Sequence, residues 1–205
     1  MKKILFSILL AGFMVGACSA ENLMTALPIG KDNFAVQGFY SSTDISVAGS
    51  SFTQFGPRII YGLTDNLDIS GKLAMGSLAG VGASTIGIGA KYTVLKVMNG
   101  DPFDLAGVAN IDSYSSNGYA AGSIGAGIEI SKYLRNNFSA YGLMNFLQYS
   151  TKYTGTSASS DTALQWGGGV KYYINRRFSL FGEVSMFYAG SDSYTTFAVA
   201  MQYII

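Results

Sequence analysis

The feature that most constrains this chain is a repeated unit. From about Asn33 to the C-terminus, runs that alternate apolar and polar side chains are each closed by a cluster of Gly, Ser, Asn or Asp. Alternation with a period of two belongs to a β-strand with two unlike faces, and the clusters between runs are turn chemistry. The pattern predicts strands near residues 34–41, 52–63, 67–76, 84–95, 103–112, 119–131, 137–149, 162–174, 177–188 and 194–205. That is about ten strands, within a range of eight to twelve.

The breaks fall into two alternating sets. Thr64-Asp65-Asn66, Leu134-Arg135-Asn136 and Asn175-Arg176 are tight, with Val97 to Pro102 a longer member of the same set. These suit periplasmic turns. Ser42 to Ser51, Ser77 to Ala83, Ser113 to Asn117, Thr151 to Asp161 and Gly190 to Ser193 are rich in Ser, Gly and Thr and suit outward loops. An even strand number places both termini on the periplasmic side.

Assigning faces strand by strand separates charge from hydrocarbon. Leu67, Ile69, Leu73 and Met75 oppose Asp68, Ser70 and Lys72; Ile86, Ile88, Tyr92 and Val94 oppose Lys91 and Thr93. Leu164, Trp166, Val170 and Tyr172 oppose Gln165 and Lys171, and Phe178, Leu180, Val184, Met186 and Tyr188 oppose Ser179, Glu183 and Ser185. The same parity sends Arg58, Asp104, Asn110, Glu129 and Gln202 to the polar face. A sheet with one apolar outer face spans a bilayer only when closed, because an open edge leaves backbone groups without partners in hydrocarbon. The expected fold is therefore all-β, a closed antiparallel up-and-down transmembrane barrel. Tyrosines near strand ends, among them Tyr40, Tyr61, Tyr92, Tyr133, Tyr141, Tyr172, Tyr188 and Tyr203, are expected to form interfacial girdles.

Composition agrees. Charged residues make up 12% of the 205 residues and aromatics 14%, with 26 glycines and three prolines. This is too little charge for an ordinary water-facing surface. Met1 to Ala20 reads as a cleaved signal peptide, with Lys2 and Lys3 before the apolar Ile4 to Val15. The mature domain then spans 21–205, with 21–33 as an N-terminal lead-in, and works outside the cytoplasm. Cys18 is the sole cysteine, so no intramolecular disulfide forms. It follows Val15-Gly16-Ala17, which resembles a lipobox, and two outcomes stay open: cleavage after Ala17 or Ala20, or lipidation of Cys18. Removing the leader leaves 11 basic against 12 acidic residues, which gives no electrostatic case for nucleic acid.

Three segments resemble the small outer-membrane barrels of Gram-negative bacteria, the group of the OmpA membrane domain and OmpX. They are Tyr61 to Leu73 (YGLTDNLDISGKL), Tyr172 to Val184 (YYINRRFSLFGEV), and the last strand, where Phe197, Val199, Met201, Tyr203 and Ile205 alternate. That last strand is similar to the signal by which such barrels are recognised by the assembly machinery, although it ends on Ile205 rather than an aromatic residue. The resemblance implies architecture, an outer-membrane location and contact with its lipid, and it carries no functional residue.

The chain has no histidine, which removes Ser-His and Cys-His nucleophiles and histidine-ligated metal sites. No catalytic, cofactor or metal site is expected. Gly80-Val81-Gly82 and Gly87-Ile88-Gly89 lack the third glycine of a dinucleotide fingerprint. Gly76 to Gly80 is GxxxG within an uncharged stretch of 18 residues, Leu73 to Ala90, but five glycines and the alternation from Thr85 argue for strand over membrane helix. One constellation remains, the inward set of Arg58, Lys72, Lys91 and Lys171 with Asp68, Asp104, Glu129 and Glu183. It reads either as a salt-bridged filling of a structural or surface protein, or as the lining of a narrow passive channel for ions or small solutes. A soluble periplasmic lipid-binding barrel is the third reading, and it demands the inverse faces.

Overall fold

The computed structural model describes residues 23–45, 50–78, 80–153, 155, 157–190 and 192–205. The leader and Cys18 lie outside the described residues. Ten antiparallel strands follow in chain order: β1 (Phe34–Ile45), β2 (Ser50–Gly62), β3 (Leu67–Leu78), β4 (Val81–Leu95), β5 (Asp104–Ser116), β6 (Tyr119–Arg135), β7 (Phe138–Tyr153), β8 (Ser159–Tyr173), β9 (Phe178–Ala189) and β10 (Asp192–Ile204). Each pairs with its sequence neighbours, and β1 pairs with β10 from Ala35↔Ile204 to Asp44↔Thr195, so the sheet closes without an edge. Strands of 12 to 17 residues exceed the length a tilted strand needs to cross hydrocarbon. The register shifts between Thr93 and Leu95 where β4 meets β5 and between Tyr133 and Arg135 where β6 meets β7, and β2 leaves Gly56 and Pro57 unpaired against β3 without a change of register. Proline has no N–H to offer the ladder.

The turns at the end where β1 begins and β10 ends are built locally. Thr64 Oγ1 accepts the Asn66 and Leu67 N–H groups at 3.2 and 3.0 Å, and Asn175 Oδ1 accepts those of Arg177 and Phe178 at 2.8 and 2.9 Å. Side chains of this kind set up turns by mimicking a backbone acceptor. The longer Val97 to Pro102 connection holds a 3₁₀ turn over Val97–Asn99.

At the other end the sequence expectation needs correction. Most of Ser42 to Ser51, Ser113 to Asn117 and Thr151 to Asp161 is strand, and Ser77 to Ala83 is largely so. Ser and Thr are turn formers by composition, but here they face one another across closed ladders: Thr43 and Thr196 hydroxyls meet at 2.8 Å, and Ser116 Oγ donates to Gly82 O at 2.9 Å. The hairpins at this end are consequently short.

Outside, the wall is hydrocarbon. Leu73, Met75, Ile86, Ile88, Ile124, Phe146, Phe197 and Val199 are exposed there, and so are Met201, Tyr203 and Ile205 of the last strand. A soluble lipid-binding barrel would show the reverse, so that reading fails. Tyr92, Tyr172 and Tyr203 stand on the outer face near the end where β1 begins and β10 ends, and Tyr188 near the other. Tyr141 does not join them. It is buried inside, because its parity on β7 is that of Ser139 and Asn145. Tyr40 faces outward but sits midway along β1.

Candidate functional site in the barrel interior

The eight charged residues singled out by parity, Arg58, Asp68, Lys72, Lys91, Asp104, Glu129, Lys171 and Glu183, all lie inside, none more than 8% exposed. Asp112 is a ninth, 3% exposed. Among the described residues, four cations therefore share the lumen with five carboxylates. Burial of this kind is tolerable only when each charge finds partners.

Register decides the partners. Lys91 Nζ lies 3.2 Å from Asp68 Oδ2, and Lys72 Nζ lies 3.2 Å from Asp112 Oδ1. The Lys72–Asp112 pair needs Gly87 beneath it. A Cβ there would stand 2.0 Å from Asp112 Oδ1 and 2.8 Å from Lys72 Cε. Arg58 donates to Gln37 Oε1 at 3.2 Å and lies over the Phe39 ring at 5.5 Å. Lys171 donates to Gln202 Oε1 at 3.2 Å, with the rings of Phe181 and Tyr173 at 4.7 and 4.8 Å. Cations held by ring faces in a desolvated site are a recognised way to settle charge. Asp104 accepts the Val97 N–H at 2.8 Å and so ties the 3₁₀ turn to the rim, while Glu183 accepts the Tyr141 hydroxyl at 3.0 Å.

The residues that sequence reasoning left as a lead-in complete this network. A tight turn at Gly30 to Asn33 sends the chain back into the barrel, with Gly30 at φ +91° and Asp32 N–H donating to Gly62 O at 2.8 Å. Only glycine fits at 62, since a Cβ there would lie 1.8 Å from Gly30 O. Leu23 to Ile29 then run through the lumen. Ile29 N–H donates to both oxygens of Asp68, at 3.3 and 3.2 Å. Lys91 Nζ donates to Thr25 O and Leu27 O at 2.7 and 2.9 Å, and Thr93 Oγ1 to Ala26 O at 2.6 Å. Leu23 N–H donates to Glu183 Oε2 at 2.7 Å and Leu23 O accepts from Gln37 at 2.8 Å. The Leu23 side chain is fully buried among Phe39, Tyr141 and Phe181.

Beyond this segment lies a cavity of about 50 Å³, lined by Met24, Arg58, Lys72, Asp112 and Asn145 among others. That is room for a few waters. The far half of the lumen is filled by an apolar cluster that includes Phe52, Tyr114, Tyr119, Leu147, Tyr149, Phe187 and Tyr194. Phe52 and Tyr119 meet Tyr114 edge to face at 5.7 and 5.8 Å. Three layers thus succeed one another: backbone segment with ion pairs, a small polar pocket, and packed rings.

A closed ladder with an apolar belt outside and charge inside defines a transmembrane β-barrel. More particularly, the fold is that of bacterial outer-membrane barrels. The chain is similar to an outer membrane channel of Pseudomonas putida F1, with 14% identity over 88% of this chain and 97% of that one and a TM-score of 0.56. Similarity extends to the N-terminal barrel domain of Pseudomonas aeruginosa OprF, at 12% identity, 86% and 99% coverage and TM-score 0.41. It extends also to Ail, the attachment invasion locus protein of Yersinia pestis, at 12% identity, 86% and 100% coverage and TM-score 0.40. At 14% identity the likeness to the Pseudomonas putida channel is one of fold. No family profile matches the sequence, and no curated protein matches it.

Proposed function

We propose that this protein is an integral outer-membrane barrel with a structural or surface role, closed to solutes and without catalytic activity, exported by its leader and inserted through its last strand. The observation that carries this reading is the seating of residues 23–29 inside the lumen, hydrogen-bonded to Asp68, Lys91, Thr93 and Glu183. A segment in that position occupies the path a solute would take, and the aromatic layer obstructs the path a second time. The reading is tested in planar bilayers. The mature protein leaves the baseline conductance unchanged, and so does a variant lacking residues 21–29, because Phe52, Tyr114 and Tyr194 still fill the far half. Combining that deletion with Tyr114→Ala and Tyr194→Ala produces discrete current steps. Steady conductance from the unaltered protein would overturn the proposal.

The second reading is a narrow channel, favoured by the charged lining. Arg58, Lys72 and Asp112 border the central cavity and would line a water path if the segment withdrew. Conductance of the intact protein is the result that would install it in place of the first.

A further inference from the structure

Charge is distributed unevenly over the end of the barrel where β1 begins and β10 ends. Lys31 and Lys96 on the β1–β5 side are offset by Asp32, Asp65 and Asp101. Lys96 Nζ donates to Asp65 O, and Lys96 N–H to Asp101 Oδ2 at 2.8 Å. On the β6–β9 side stand Lys132, Arg135, Arg176 and Arg177, all exposed, and neither turn there contains an acidic residue. Among the described residues, the opposite end of the barrel carries Asp44, Asp161 and Asp192 against Lys152.

The four cations form one arc. The β6–β7 and β8–β9 turns adjoin, since Tyr173 N–H donates to Asn137 O at 2.9 Å. Asn175 fixes the second turn through the Arg177 and Phe178 N–H groups, so the two arginines are presented on a preformed loop. Apolar side chains share the same turns: Leu134 is 59% exposed and Ile174 51%, with Tyr172 also outward. Exposed apolar and aromatic groups interleaved with arginine are the composition of a membrane interface, where the ring or alkyl group sits at head-group level and the guanidinium reaches phosphate. Arginine grips phosphate with two parallel N–H bonds.

We propose that Lys132, Arg135, Arg176 and Arg177 form a binding surface for the phosphate head groups of anionic phospholipid in the periplasmic leaflet. The inference rests on the membrane reading above and adds a lipid class and a side of the barrel to it.

Trp166 supplies the test. It is the only tryptophan in the chain, and it lies exposed on the outer face midway along β8, the strand that leads into the Arg176–Arg177 turn. The full mature protein is reconstituted in vesicles containing phosphatidylglycerol or phosphatidylcholine with brominated acyl chains, and Trp166 quenching is measured. The expected result is a preference of roughly fivefold or more for the anionic lipid, weakened by salt. It falls to parity in Arg135→Gln/Arg176→Gln/Arg177→Gln and persists in Lys31→Gln/Lys96→Gln, with heat-modifiable mobility verifying that each variant is folded. Arg176→Gln alone reduces it partway. Equal quenching by the two lipids in the unaltered protein, or an unchanged preference in the triple variant, overturns the proposal while leaving the membrane assignment intact. If neither lipid quenches Trp166, the membrane reading itself fails and takes the proposal with it.

Discussion

Lys91 is the residue on which the seating of the inner segment most depends. Its ammonium holds Thr25 O, Leu27 O and Asp68, and Asp68 in turn receives Ile29 N–H. Replacing it by methionine keeps the stem and removes the charge. Two charge-assisted hydrogen bonds to the segment are lost directly, each of about 1.5–3 kcal/mol. Water entering the vacated site returns part of that, so the lower end applies, a loss of about 3 kcal/mol. That raises the open population of the segment by roughly a hundredfold. The assay is labelling of a Thr25→Cys variant, in a Cys18→Ser background, with a membrane-impermeant maleimide. Thr25 is 4% exposed, so the thiol is protected in the parent and its labelling rate follows the opening equilibrium. Lys91→Met accelerates labelling by about two orders of magnitude, whereas a Cys placed at exposed Asn33 reacts fast in both backgrounds. A change of less than about threefold would refute the reasoning, because the segment would then be held by something other than these bonds. Rapid labelling in the parent would refute the seating itself.

Two further outcomes concern the wall and its filling. Gly87→Ala pushes a methyl group into the Lys72–Asp112 pair and lowers the stability of the folded barrel by about 1–3 kcal/mol, read from the urea midpoint in detergent. Leu73→Arg, on the lipid face and far from either end of β3, costs about 2–4 kcal/mol in bilayer unfolding, and a stability equal to the parent would mean that this face does not meet hydrocarbon.

The wall was legible in the sequence because each strand carries two unlike faces. Ile69 and Leu73 against Asp68 and Lys72 need no coordinates to be separated. The parity of β7 is harder to see: Tyr141, Leu143, Leu147 and Tyr149 point inward while Met144 and Phe146 point outward. With apolar side chains on both sides, hydropathy loses its period, which is why Tyr141 read as a girdle residue. Asp112 shares parity with Asp104 and Asn110 but stands beside a serine-rich stretch that read as loop. Parity alone was enough to place it. The inner segment had no such signal. The hydrogen bonds that hold Leu23 to Ile29 are made by its backbone N–H and C=O groups, which every residue but proline carries, so no polar side chain in LMTALPI marks it as lumen-filling. Pairing likewise followed register, which composition does not encode.

The same segment has a mechanical consequence. In a ring of ten strands, β9 and β4 stand diametrically opposite. Leu23 is fastened to Glu183 on β9, and Thr25 and Ala26 to Lys91 and Thr93 on β4. A ladder of hydrogen bonds fixes the circumference of a tube but resists flattening only weakly. A strut across the diameter fixes the cross-section as well, so that lateral pressure from the bilayer is carried through the middle of the ring and not by the wall alone.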